Sequence, residues 1–290
     1  MSKLVFGMVD VFADAPLEGN PLAVVEGGEQ LSDDVLRAIA REFNQAETTF
    51  IMESDRADRK LRSFTAAGFE VAGAGHNALG AWLWLARGDA LGPLDSATIF
   101  HQEIGENILP VIVERRGERV HVRMQQAPLQ LFPILSDTSG LAPALGLAAD
   151  DFLSNPPPRA ADTGASHLMV RVRDKAAVDR AETNVPALLN ILKPAGAEGC
   201  YVYSFDEESG SQAYARFFSP AVGMSEDVAT GTAAGPLAAY LFEQGLLRDT
   251  ALLVEQGTRL GRRSLLSVDV GKQPELSGSG IVVMEGHILI

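Results

Sequence analysis

The chain has 290 residues, 46% of them hydrophobic and 21% charged, and a formal net charge of −14. Its length suggests about two domains of ordinary size, with enough core to fold without disulfides or a structural metal. The acidic balance argues against nucleic acid or an anionic membrane as partner, since both need clustered Lys and Arg, but it leaves room for a small anion held by local dipoles.

The single cysteine, Cys200, cannot form an internal bridge and favours a reducing compartment. The opening MSKLVFGMVDVF lacks the pattern of a signal peptide and reads as a first strand. The longest apolar run, Ala78 to Ala86, is about half of a bilayer-spanning helix. A cytoplasmic protein is expected. Ser32 can cap a helix with Asp33 and Asp34 in its first turn and Val35, Leu36, Ile39, Ala40 and Phe43 on one face. Thr48–Met52 and Lys60–Thr65 read as strands, and ESDRADRKLR as a solvated turn. Next comes VAGAGHNALGAWLWLARG, a glycine turn in front of an apolar helix from about His76 to Arg87. ILPVIVERRGERVHVRM alternates around an Arg-Gly-Glu turn and reads as a hairpin. The Pro-rich, polar stretch Ala142 to Ser166 opens a second half, with the boundary near residue 125. HLMVRV reads as a strand, VPALLNILKP as a helix and the final GIVVMEGHILI as a strand pair.

The second half echoes the first. Superposing Gly75 on Gly231 aligns Glu70 with Glu226, His76 with Thr232 and Leu85 with Leu241. RSFTAAGFE matches RFFSPAVGMSE, AETTFIM matches AEGCYVY, and TIFHQEIG matches LLVEQG at their closing glycines. Four blocks in one order imply a doubled unit. A helix start leaves backbone N–H groups unpaired and carries positive partial charge, and glycine lets a ligand approach them. If the halves pack about a pseudo-twofold axis, both glycine-led starts face one cleft and can hold a carboxylate. Tight strand–helix packing is the simpler use of the same glycines.

In order and spacing, PLEGNPLAVV, AREFNQAETTF, RSFTAAGFEVAGAGH and FFSPAVGMSEDVATGTAAGPLAAYL resemble the phenazine-biosynthesis PhzF-like isomerases, over nearly the whole chain. The resemblance implies an α+β, diaminopimelate epimerase-like fold: two pseudo-symmetric domains, each a mostly antiparallel sheet or barrel wrapped around a central helix. Residues 1–124, joined by the C-terminal strands 278–290, form one repeat unit and residues 125–277 the other, with the active-site cleft between them. It implies catalytic roles for Glu47, His76 and Asp227, and substrate binding by Asn20, Gly75, Gly231 and Thr232. It also implies a homodimer. Ala66 and Asn77 depart from the family pattern, which has proline after FT and a small residue or proline after the histidine. Asn77 is therefore a candidate to shape the cleft and change the substrate.

Epimerases of this fold use a cysteine before each matched glycine, where this chain has Ala74 and Thr230. A thiol racemase is therefore not expected. One carboxylate serving as base and then acid would move a proton along a conjugated system, and Glu47 is the candidate. A cleft holding Asp227 as well should raise the pKa of Glu47. His76 would bind substrate or relay the proton, and Asp227 would orient a substrate group or His76. The bland readings are a solvated strand-end Glu47, like its repeat partner Glu198, and a capping Asp227. His101, His121, His167 and His287 read as structural or exposed. There is no HExxH or CxxC pattern, and GAGHNALG fails the dinucleotide spacing, so neither metal nor cofactor is expected. The expected activity is cofactor-independent isomerisation of a small anionic carboxylate substrate. The alternatives are an epimerase or racemase of an amino or hydroxy acid, and a non-catalytic acid-binding protein.

Overall fold

A computed structural model describes residues 3–290 apart from 72, 89 and 223. In chain order the first half runs β1 (Lys3–Val11), β2 (Asn20–Glu26), α1 (Asp33–Phe43), β3 (Glu47–Met52), β4 (Arg59–Thr65), β5 (Glu70–Val71), α2 (His76–Leu85), β6 (Thr98–Ile104), β7 (Asn107–Arg116) and β8 (Arg119–Gln125). The second half runs β9 (Gln130–Ile134), α3 (Leu141–Leu145), β10 (Arg159–Asp162), β11 (Ser166–Arg171), α4 (Lys175–Arg180), α5 (Val185–Ala195), β12 (Gly199–Asp206), β13 (Gln212–Ser219), β14 (Met224–Asp227), α6 (Gly231–Glu243), β15 (Ala251–Gln256), β16 (Ser264–Asp269) and β17 (Glu275–Gly278). The last strand, β18 (Gly280–Leu289), pairs with β1.

The chain divides into two compact units, residues 1–124 with 277–290, and residues 125–276. In the first, β18, β1 and β2 pair antiparallel, β2 pairs parallel with β3, and β3 antiparallel with β4. β4 then takes β5 antiparallel and β6 parallel, and β6, β7 and β8 follow antiparallel. The second unit repeats the scheme. β9, β10 and β11 pair antiparallel, β11 pairs parallel with β12, and β12 antiparallel with β13. β13 takes β14 antiparallel and β15 parallel, and β15 pairs antiparallel with β16. The pairing senses agree step by step, so the halves that echo each other in sequence share one topology.

Each unit is built on one helix. All ten residues of α2 are buried, as its apolarity on every side requires, and it packs against β1, β2, β3, β4 and β18. Close approach is bought with glycine: a Cβ on Gly7 would stand 1.9 Å from the Trp84 ring, and one on Gly80 2.5 Å from Leu22. The buried indoles donate to Gln102 Oε1 at 2.9 Å (Trp82) and Glu26 Oε1 at 2.7 Å (Trp84), so their polar atoms are satisfied. α6 is the counterpart in the second unit, packed against β10, β11, β15 and β16. Amphipathic α1 lays Leu36, Ile39 and Ala40 against Val25, Phe50, Met52 and Phe64 on the outer face of its sheet.

Some local expectations change. GIVVMEGHILI is one continuous strand with a bulge between Val282 and Met284, not a strand pair. The segment 142–166 contains most of α3, a 3₁₀ turn at Ala149–Asp151 and all of β10, short elements whose apolar residues are too few to show a period. Ser32 stands at the start of α1 without a side-chain cap bond, and Asp33 instead accepts from Arg62 Nη1 at 2.8 Å. Among the described residues no helix is long and apolar enough to cross a membrane.

Candidate active site

Glu47 is the first residue of β3, opposite Thr65 of β4, and its side chain is 19% exposed. The strand aims it at the start of α2, where His76 Nδ1 lies 3.9 Å from Glu47 Oε2. That is too long for a hydrogen bond, yet one atom carrying a proton between them would touch both. Burial holds the His76 pKa down at about 4, so the ring is neutral at pH 7. Its Nε2 is buried and finds no hydrogen-bond partner among the described residues. Glu198, the repeat partner of Glu47, is exposed in front of β12. The two glutamates thus share a sequence block but not an environment. Asn20 is buried at the start of β2. The parallel register pairs Ala23 with Thr48, which sets Asn20 two residues upstream of the level of Glu47.

The glycine turn ahead of α2 is tied down by Asn77. Its Oδ1 accepts from Gly75 N at 2.7 Å, while its Nδ2 donates to Gly73 O at 3.0 Å and to Ser63 Oγ at 3.1 Å. Ser63 Oγ lies 2.9 Å from Thr49 Oγ1, which approaches Asn77 O at 3.4 Å. The Asn77 side chain therefore serves the turn, and the Gly75 N–H that the sequence reading gave to substrate is engaged within the chain.

In the second unit, Asp227 ends β14 and accepts from Thr230 Oγ1 at 2.7 Å. Gln256, fully buried at the end of β15, accepts from Thr230 N at 3.2 Å and donates to Asp227 O at 2.9 Å and Thr230 Oγ1 at 3.0 Å. Tyr201 OH also donates to Gln256 Oε1, at 2.8 Å. Thr230 thus turns its hydroxyl toward Asp227 and leaves α6 without a side-chain cap. Among the described residues the N–H groups of Gly231 and Thr232 have no acceptor, and those are the groups a helix start offers an anion. Thr232 Oγ1 lies 3.1 Å from His167 Nε2. Gly231 O accepts from Gln126 Nε2 at 2.9 Å.

Comparison with known proteins decides the family. The model of the phenazine biosynthesis-like (PhzC-PhzF) proteins matches residues 9–286. The chain belongs to the phenazine biosynthesis-like family. It is 32% identical over 292 residues to a trans-2,3-dihydro-3-hydroxyanthranilate isomerase of Pseudomonas chlororaphis, covering 98% of each chain. The crystal structure of a PhzF-family phenazine biosynthesis protein of Bacillus anthracis superposes with a TM-score of 0.88 at 26% identity, covering all of both chains. A hydroxyproline epimerase of Agrobacterium vitis shares the fold with a TM-score of 0.65 at 14% identity, over 99% of this chain and 91% of its own. The fold is thus of the diaminopimelate epimerase-like kind, and this member of the phenazine biosynthesis-like family is an isomerase.

Sequence reading missed four supports in this family member: His167, Gln256, Gln126 and the arginine clamps. His167, read as structural or exposed, is 3% exposed and stands against Thr232. Gln256 closes the matched block LLVEQG, a position that repeat comparison marks without assigning chemistry. The clamps were legible as a pair. Arg62 grips Glu70 through Nε at 2.7 Å and Nη2 at 2.8 Å, and Arg216 grips Glu226 through Nε at 2.8 Å and Nη2 at 2.7 Å. Each guanidinium also lies over a phenylalanine two residues on, Phe64 at 5.1 Å and Phe218 at 4.9 Å. Adjacent strand residues face opposite ways, so gripping Glu226 on one side of β14 presents Asp227 on the other. No group of His, Cys, Asp and Glu among the described residues could hold a metal ion.

Proposed function

We propose that the protein shifts a proton along an unsaturated, carboxylate-bearing small molecule without a cofactor, as an isomerase of the trans-2,3-dihydro-3-hydroxyanthranilate type. The observation that carries this reading is the partly buried Glu47 carboxylate set 3.9 Å from a neutral histidine. Glu47 removes a proton from carbon, and the electron pair spreads through the conjugated system toward the substrate carboxylate. The resulting carboxylic acid returns a proton to a different carbon of that system, so one group is base and then acid and the net change is a moved double bond. The N–H groups at the start of α6 suit a carboxylate on which negative charge grows. His76, neutral at working pH, can donate a hydrogen bond or accept one. Asp227, held by Thr230, can orient a substrate amine or hydroxyl.

A two-thiol epimerase finds no support. Ala74 and Thr230 occupy the thiol positions, and the one thiol, Cys200, is buried with its pKa pushed up to about 12. The test is to dialyse the protein against EDTA and offer it trans-2,3-dihydro-3-hydroxyanthranilate with nothing added. Conversion to the double-bond isomer supports the proposal. Inversion of a chiral amino or hydroxy acid without a double-bond shift would replace it.

A further inference from the structure

We propose that Asn77 is a specificity-determining residue: its carboxamide acts as an internal ligand of the glycine turn and withholds the Gly75 N–H from substrate. The inference rests on the proposed function in taking the start of α2 to face the substrate.

Asn77 is 2% exposed, and both ends of its amide are engaged. Which end is oxygen follows from the partners. One end meets an N–H, that of Gly75, and the other meets the Gly73 carbonyl and the Ser63 hydroxyl. Turning the amide over would set N–H against N–H and oxygen against carbonyl oxygen, so only one orientation satisfies all three partners. The proton order then closes a loop. Asn77 Nδ2 donates to Ser63 Oγ, Ser63 Oγ to Thr49 Oγ1, and Thr49 Oγ1 to Asn77 O. Thr49 is fully buried and Ser63 is 3% exposed, so water does not compete for these bonds.

The planar amide makes displacement expensive. For a substrate oxygen to reach the Gly75 N–H, Oδ1 must leave, and because the amide is rigid Nδ2 must leave Gly73 O and Ser63 Oγ with it. Three hydrogen bonds are broken and buried groups are exposed unpaired for one new bond. Even a charge-assisted bond, roughly twice the strength of a neutral one, does not make up that difference. The second unit carries Ala233 at the matching position, and among the described residues no carboxamide covers Gly231 N–H there. The matched N–H groups are therefore treated differently: that of Gly231 is left open at the start of α6 and that of Gly75 is closed ahead of α2.

The test follows the Gly75 amide by NMR in the isotopically labelled full chain, with 2-aminobenzoate as the carboxylate probe and 2-aminobenzamide as the uncharged control. In the wild type the Gly75 amide should exchange more slowly than that of exposed Gly73, and its resonance should stay in place as 2-aminobenzoate is added. In Asn77→Ala, exchange should be faster by about tenfold or more, and 2-aminobenzoate, but not the amide, should shift the resonance. A wild-type Gly75 that exchanges as fast as Gly73 overturns the proposal without any variant. So does a wild-type shift as large as the variant's, or no shift in either. Turnover is not read, so failure here and failure of the role given to Glu47 are separately visible.

Discussion

The two glycine-fronted helix starts solve one problem from different positions. Each turn is irregular and, where it meets its helix, partly or wholly buried, so the N–H and C=O groups there need partners. A primary amide supplies a donor and an acceptor at one tip. In the first unit the amide is Asn77, on the helix itself; in the second it is Gln256, on the strand behind the helix. The matched blocks place Ala233 opposite Asn77 and Ile104 opposite Gln256, so each half lacks the other's device. What recurs is the requirement and not the residue. The choice also decides which N–H remains open: Asn77 takes that of Gly75, whereas Gln256 takes that of Thr230 and spares Gly231.

The sharpest way to break this comparison is to treat equivalent residues alike. Glu47→Gln should lower kcat by about 10³-fold, the scale of a general acid–base, while Glu198→Gln leaves it unchanged in the same assay. Equal losses would mean that position in the repeat, not environment, sets the role. Next in size are the clamps. Arg216 is 8% exposed, and its Nη1 also donates to the carbonyls of Val178, Asp179 and Ala181. Arg216→Ala should cost about 3–5 kcal/mol in denaturant unfolding, because it strands a buried carboxylate. Arg62, whose side chain is 22% exposed, faces Glu70 at 41%, so Arg62→Ala should cost about 1 kcal/mol.

Each half also carries one deeply buried histidine, His76 and His167, held at about 4 by burial against 6.5 in the free side chain. The unfolded chain therefore binds these protons first as the pH falls. Stability is full above pH 6.5 and is lost between there and pH 4, by up to about 3 kcal/mol per histidine. Urea unfolding across that window reads the slope, and His76→Asn or His167→Asn should each remove its own share. A further pair of variants sharpens the amide comparison: Gln256→Leu and Asn77→Leu should each cost about 1–3 kcal/mol by stranding turn groups. Thermal unfolding measures both.

How far the sequence could be read depends on whether a feature repeats. The matched blocks predicted a shared topology, and the apolar runs of α2 and α6 predicted central helices, because a helix apolar on all sides must be enclosed. Arg62 with Glu70 and Arg216 with Glu226 were visible as aligned letters, although their contact needs two strands to come into register. Asn77 was singled out for departing from a family pattern, but its partners could not be read. Gly73 and Ser63 meet it only once the turn folds back on β4. His167 was hidden for a related reason. A histidine in an apolar strand carries no period of its own, and its partner Thr232 lies 65 residues away in sequence.

The role given to Glu47 is tested most directly by carbon-bound deuterium. In D₂O the wild type should convert its substrate with deuterium at the carbon that receives the proton, and Glu47→Gln, folded with unchanged stability, should give neither isomer nor label. Label entering at an undiminished rate in Glu47→Gln would show that another group carries the proton.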